Sequence, residues 1–325
     1  MFDKDKMEAE ASDNSLVQQA GRDLTIYQGP KIVEIIEVID YQIEKRVPEL
    51  LLVHGTQLIE AENQKVQIEI QEFKQSINSM LESKLDSSSN AGEEAIKILS
   101  KVTDANFQYL FHEGLKHVIR RKESSSKELL IELLSKKLDS DEADDNSYII
   151  DDAIETLSNI SKNQINFLGF LTAIRNLTIN ITYQGEIFDC RNLVSMLNQK
   201  GLQQEEIKRI QNYSSKEYLK SLNTLIEYFL SLYPASVDVD YLASKGLVFV
   251  EIKSFTLKST DLILQNIYGT ENFENNEKNL QILVPRLYLL LNRYGVKSVD
   301  ELPAYTSKGQ IIGNIIFNKY LKNPS

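Results

Sequence analysis

Apolar positions along this chain recur mostly at steps of three and four, the spacing of one face of an α-helix. The clearest run is Ile59, Val66, Ile70, Phe73, Ile77, Met80 and Leu81, with Glu, Gln and Lys filling the positions between. No Gly or Pro interrupts residues 57–85. The pattern therefore predicts one long helix whose narrow stripe packs on a neighbour as in a coiled coil. Ile32, Val33, Ile35, Ile36 and Val38 predict an earlier helix ending near Arg46, and Pro48 suits the first turn of the next. Between Gln18 and Pro30 the period changes. Leu24 and Ile26 alternate with polar residues between Gly21 and Gly29, which predicts a short strand. A lone strand leaves its backbone groups unsatisfied, so it must pair with something. Residues 1–16 before it are charged and polar and read as a flexible arm.

The middle of the chain is duplicated. The stretch MLESKLDSSSNAGEEAIKILSKVTDANFQYLF from Met80 matches LLSKKLDSDEADDNSYIIDDAIETLSNISKNQINFL from Leu133. Each has a helix ending in Lys-Leu-Asp-Ser, a polar loop, then Ala-Ile-x-x-Leu-Ser. Ala95, Ile96, Leu99 and Ser100 correspond to Ala153, Ile154, Leu157 and Ser158; Val102 corresponds to Ile160 and Leu110 to Leu168. The matching residues are mostly apolar or caps, so the duplication predicts stacked helical units. Capping-box patterns stand at Ser161–Gln164, Ser214–Glu217 and Ser298–Glu301. Gly201, Gly246, Gly269 and Gly295 stand where helices should stop. The later part predicts helices over 192–199, 205–211, 216–232, 262–268, 279–293 and 309–321, and a strand at Leu247–Ile252. The order helix, turn, strand in DYLASKGLVFVEI resembles part of a winged-helix unit. The expected fold class is mainly α: a multi-helical bundle of duplicated units with a short N-terminal strand and a small winged-helix-like C-terminal region. The expected divisions are 1–30, 31–175 and 176–325.

Composition fits that picture. Of 325 residues, 42% are hydrophobic and 26% charged, with only 13 Gly and 6 Pro, which favours a cored, helical chain. The net charge of −11 repels phosphate backbones, so nucleic acid is a disfavoured partner unless a local basic patch overrides the sum. The single cysteine, Cys190, excludes an intrachain disulfide and a Cys-rich metal site. The first 15 residues lack the basic start and apolar run of a signal peptide. No stretch approaches the ~18 apolar residues of a membrane span. A cytoplasmic location, no membrane and no cofactor are expected.

Motifs that carry chemistry are incomplete. His112-Glu-Gly-Leu-Lys-His117 separates its histidines by five positions, where a zinc-protease helix uses four to share a face, so no metal site is expected. Glu251-Ile-Lys253 after a hydrophobic run, with Asp240 and Asp238 upstream, matches the acid-x-Lys of metal-dependent nucleases. The alternation of strands and helices that such a core needs is missing. Lys116, Arg120, Arg121 and Lys122, with Lys127, form a basic cluster. It suits nucleic acid, a nucleotide or an acidic partner, or neutralises the acidic loop at 139–145. Asp151, Asp152 and Glu155 fit an acidic first turn of a helix better than acid–base work. Gly309 and Gly313 are spaced for close helix packing. No phosphate-binding glycine loop occurs.

Five segments occur in an order that resembles a known family: AGRDLTIY, NFQYLFHEGLKHVIRRKESSSKELLIELLSKKL, AIETLSNISKNQINFL, YLASKGLV and YTSKGQIIGN. Together they look like an uncharacterised family of bacterial all-helical proteins that open with a Gly-Asp-type segment. Arg22 stands where such openings often carry Asp or Asn. The repeated unit is similar, more distantly, to the abortive-infection alpha family of phage-defence proteins. The likeness covers roughly residues 18–320. It implies a role in bacterial defence and no particular chemistry. The expectation is a contact protein that associates with itself as a homo-oligomer or with a protein partner. Leu24, Ile26 and Tyr27 of the N-terminal strand and the stripe from Ile59 to Leu81 would make the contacts. The alternatives are a nuclease using Glu251, Lys253 and Asp240, and a nucleic-acid-binding protein.

Overall fold

A computed structural model describes residues 15–20, 23–28, 32–55, 60–86, 91–121, 124–140, 144–177, 180–183, 186–189, 201–253 and 277–322. The chain divides into two compact units, Met1–Ser158 and Asn159–Ser325. The expected boundary near residue 176 thus lies one helix too late. The described residues are mainly helical, and their strands form three separate two-stranded sheets.

The first unit opens with a hairpin of β1 (Ser15–Ala20) and β2 (Asp23–Gln28), antiparallel from Ser15↔Gln28 to Ala20↔Asp23. The expected strand therefore finds its partner in the residues just before it, part of which had read as arm. Six helices follow: α1 (Ile32–Gly55), α2 (Glu60–Asp86), α3 (Ala91–Thr103), α4 (Ala105–Arg121), α5 (Ser124–Asp139) and α6 (Asp145–Leu157). Helix α2 is the centre of this unit and packs on α1, α3, α4 and α5. Its stripe Val66, Ile70, Phe73, Ile77, Leu81 and Leu85 is buried, while Met80 is half-buried. Ile59 lies outside the described residues. Ring contact between Phe73 and Phe111 of α4, centroids 5.9 Å apart, is part of that seam. Burial of such a stripe stabilises the unit by on the order of 10 kcal/mol before chain entropy is counted.

Helix α1 corrects a second expectation. It runs straight through Pro48 instead of ending near Arg46. Proline inside a helix costs one hydrogen bond and adds a steric clash. Here the buried row Ile35, Ile39, Ile43 and Val47 keeps the helix on its neighbours up to the proline.

The two Lys-Leu-Asp-Ser ends of the duplication meet. Lys84 of the first copy binds Asp139 of the second at 2.5 Å, and Leu85 and Leu138 are both buried. Lys101 donates to the carbonyls of Leu138, at 2.8 Å, and Ser140. Buried Lys137 donates to Ser147 Oγ at 2.6 Å and pairs with Asp151 at 2.7 Å, and Asn106 also donates to Asp151. Asp151 is thus occupied in joining α4, α5 and α6. Ala95 and Ala153, Val102 and Ile160, and Leu110 and Leu168 are buried in both copies. Ile96 and Leu99 are half-buried where Ile154 and Leu157 are fully covered.

In the second unit α7 (Lys162–Asn176) starts at the expected capping box. Ser161 Oγ accepts from Gln164 N, and Gln164 Oε1 accepts from Ser161 N. Every residue from Ile165 to Arg175 is buried. A helix covered on all sides belongs to the middle of a core, which is why the third helix of the second repeat falls in this unit. The unit continues with the hairpin β3 (Asn180–Tyr183) and β4 (Glu186–Asp189), then α8 (Gln204–Ser231), α9 (Val239–Ser244) and β5 (Val248–Lys253). It closes with α10 (Glu277–Leu283), α11 (Pro285–Tyr294), β6 (Pro303–Tyr305) and α12 (Ser307–Lys322). The strand expected at Leu247–Ile252 is β5, and it pairs antiparallel with β6 much later in the chain. The helices expected at 192–199 and 262–268, Gly269 and Cys190 lie outside the described residues.

Three local signals misled. Ser214 is buried inside α8, which runs unbroken where two helices and a capping box were expected. The buried row Ile207, Ile210, Ser214, Tyr218, Leu222, Leu225 and Phe229 crosses that point without a shift of phase. The helix expected over 279–293 is instead two, because Val284 leaves helical geometry (φ −136°, ψ 60°) ahead of Pro285. Ser298 precedes a single 3-10 turn and makes no side-chain cap, although Glu301 accepts from Lys297 N. Gly295, with φ 82°, ends α11 as expected, and Val296 N reaches back to Leu291 O at 2.9 Å.

Close approach of α7 and α12 organises this unit. Gly313 faces Thr172 Oγ1 and the Leu168 carbonyl, Gly169 faces Ile316, and Gly309 faces the Leu247 carbonyl, each with no room for a methyl group. The close helix packing expected of Gly309 and Gly313 is made by Gly313, while Gly309 packs on the Leu247 carbonyl ahead of β5. Around α7 an aromatic cluster joins Phe167 and Tyr294 (5.1 Å between centroids), Phe170 and Phe229 (5.6 Å), and Phe170 and Tyr294 (5.7 Å). Burial pushes the Tyr294 phenol well above its ordinary pKa. Buried Arg175 donates to Pro303 O at 3.1 Å and lies 4.1 Å from the Tyr305 ring centroid, which ties α7 to β6. No helix among the described residues is long and apolar enough to cross a membrane.

Replacing Gly313 by Ala adds helix propensity worth about 1 kcal/mol, yet forces the α7–α12 backbones apart, which costs about 1–3 kcal/mol or more. The clash is with backbone and a β-branched side chain, so Gly313→Ala should lower the urea midpoint of unfolding. A raised midpoint would show that the helices are not in close contact.

Candidate functional site

The residues singled out from the sequence do not converge on one site. Leu24, Ile26 and Tyr27 stand on β2, paired with Gln19, Val17 and Leu16 of β1. This register puts positions 17, 24 and 26 on one face of the hairpin and positions 16 and 27 on the other. Among the described residues each strand pairs with the other only, so within that set each has an outer edge of backbone N–H and C=O groups. The stripe of α2, the second expected contact surface, is not available to a partner, because its own unit covers it.

The basic cluster is partly neutralised from within. Lys116 pairs with Glu113 one turn away at 2.6 Å. Lys127 is buried and pairs with Glu69 and with Glu72, the latter at 2.5 Å, both on α2. Burial opposes its charge, but hydrogen bonds and charge from Glu69 and Glu72 outweigh this and hold its pKa above the ordinary lysine value. For Lys116 and Lys127 the neutralising acids are therefore those of α4 and α2. Arg120 and Arg121 close α4, and their side chains, like Lys122, lie outside the described set.

His117 is buried and His112 half-buried, in different surroundings on α4. Burial lowers the His112 pKa, with Lys116 and Arg46 acting in the same direction against Glu113 and Glu49, so the ring is neutral at neutral pH. Among the described residues no three His, Cys, Asp or Glu side chains gather closely enough to hold a metal ion. Glu251 and Lys253 stand on β5, whose partner β6 has three residues, and Asp240 is exposed in the first turn of α9.

One basic face escaped the sequence reading because the false cap at Ser214 cut its helix in two. On the continuous α8, Arg209, Tyr213, Lys216 and Lys220 follow at steps of four, three and four, within roughly 60° of one another at 100° per residue. All four are exposed. Beside them a groove of about 520 Å³ is lined by Lys216, Lys220, Asn223, Thr224 and Glu227 of α8 and by Arg286 of α11. Glu227 holds Arg286 at 2.7 Å. Periodicity followed across residues 209–220 would have found this face.

Loss of Lys127 leaves two carboxylates facing each other at the α2–α5 seam. Lys127→Ala should destabilise the protein by about 2 kcal/mol, and the half-exposed Lys116→Ala by less than about 1 kcal/mol. The stabilisation from Lys127 is fully present below the ordinary lysine pKa and is lost only as pH rises through the raised value. Chemical denaturation of both variants at neutral pH checks this, and equal losses would contradict the geometry.

Three segments that carry the family resemblance interlock in the second unit. In YTSKGQIIGN, Thr306 donates to the carbonyls of Gly246 at 2.7 Å and Leu247 at 3.2 Å in YLASKGLV, and accepts from Gly309 N at 3.1 Å. Gly313 meets Leu168 of AIETLSNISKNQINFL, and Tyr241 donates to Asn159 O at 2.7 Å. No curated protein matches the chain, and no solved structure does. One family model does match it, over residues 56–312, with a description that reads only ":-like" and names no activity. Since that match takes in well over half of the chain, the protein belongs to this uncharacterised family.

Proposed function

We propose that this chain is a non-catalytic assembly protein of the bacterial cytoplasm, which joins further copies of itself, or a protein partner, through its N-terminal hairpin. The observation that carries this reading is that, among the described residues, neither outer edge of the hairpin pairs with a further strand. Two strands alone are marginally stable in water, and an open edge invites a further strand. Strand addition supplies backbone hydrogen bonds for affinity and alternate side-chain positions for specificity. Leu24, Ile26 and Tyr27 would then set which partner fits. The helical units act as scaffold, in keeping with a duplication whose shared residues are core and helix ends. The resemblance to the abortive-infection alpha family suggests antiviral defence as the setting, with assembly as the signalling event.

Removal of residues 1–29 should convert the assembled protein to a monomer or abolish partner capture, with the helical circular dichroism retained. Light scattering at matched concentrations measures this. Identical monomeric masses for both forms, with no partner lost, would end the proposal.

A further inference from the structure

We infer that the exposed face of α8 binds a nucleotide, free or within a single strand, with its phosphates on Lys216, Lys220 and Arg286 and its base against Tyr213. On a chain of net charge −11 these exposed cations make a local positive face. Arg209, Lys216 and Lys220 form no ion pair with any described residue, in contrast to Lys84, Lys116, Lys127 and Lys137. Like charges one turn apart, as Lys216 and Lys220 are, destabilise a helix. Phosphate oxygens between them remove that repulsion. Arg286, which pairs with Glu227, closes the end of the groove. Its guanidinium offers a bidentate fork to phosphate.

Tyr213 supplies the second half of the recognition. It is 57% exposed, so a face of its ring is open to a ligand, and it stands one turn before Lys216 on the same face. A base can stack on such a ring whatever its identity. Arg209 to Lys220 spans roughly 16 Å at 1.5 Å per residue, and the groove of about 520 Å³ lies within the range of small-molecule sites. Local potential, and not the sum of charges, decides whether phosphate approaches. This site is independent of the N-terminal hairpin, so it stands or falls separately from the assembly reading.

Fluorescence anisotropy of the full chain, with a labelled ATP analogue in one arm and labelled dT12 or rU12 in the other, tests the inference. Saturable binding is expected in at least one arm, weakening steeply between 50 and 200 mM salt for the oligonucleotide. The double substitution Lys216→Glu with Lys220→Glu should weaken it at least tenfold. Tyr213→Ala should weaken it about tenfold, and Tyr213→Phe should leave it intact. These positions are exposed, and circular dichroism checks that the variants fold. Tighter binding of the oligonucleotide identifies a strand as the ligand, and equal or tighter binding of the ATP analogue identifies a free nucleotide. No saturable binding in either arm, or binding that the lysine and tyrosine substitutions leave unchanged, overturns the inference.

Discussion

The burial of one face of α2 constrains the whole first unit. A helix carrying Val66, Ile70, Phe73, Ile77, Leu81 and Leu85 along one line must cover that line or aggregate, and α1, α4 and α5 cover it. A stripe that has the periodicity of a dimerisation seam is covered by helices of its own unit. The seam also explains the fate of the basic cluster, since Glu69 and Glu72 of α2 capture Lys127.

The second unit solves the same problem by closeness. Its central helix α7 is buried all round and accepts α12 at a distance only glycine permits. The polar groups drawn into that core are met locally: Arg175 by Pro303 O and the Tyr305 ring, and Thr306 by the Gly246 and Leu247 carbonyls. Three of the segments that carry the resemblance are thus mutually packed backbone and cap residues, which hold a fold together and name no activity.

Much of this was legible in the sequence. The α2 stripe, the Ser161 capping box, the duplicated Lys-Leu-Asp ends, the strand at Leu247 and the glycine spacing of α12 all follow from periodicity and cap chemistry. The failures are of two kinds. Pro48, Ser214 and Ser298 are local signals for helix ends, and at Ser214 continuous burial on one face outweighed a local preference worth a few kcal/mol at most, whereas at Val284 the helix ends where an unbroken one was expected. Splitting α8 at Ser214 also hid its basic face. The unit boundary was misplaced because α7 belongs by sequence to a repeat and by burial to the other unit. Chemistry was the least legible layer, since the motifs that suggested it were each incomplete in the sequence.

Native-state hydrogen exchange at high and at low protein concentration tests most directly whether the α2 seam is internal and the hairpin is the contact. Amides of residues 66–85 should stay protected to the same degree at both concentrations, while those of residues 15–28 lose protection on dilution. Protection of α2 that falls on dilution, with the hairpin unchanged, would mean that the seam lies between chains and that the account is wrong.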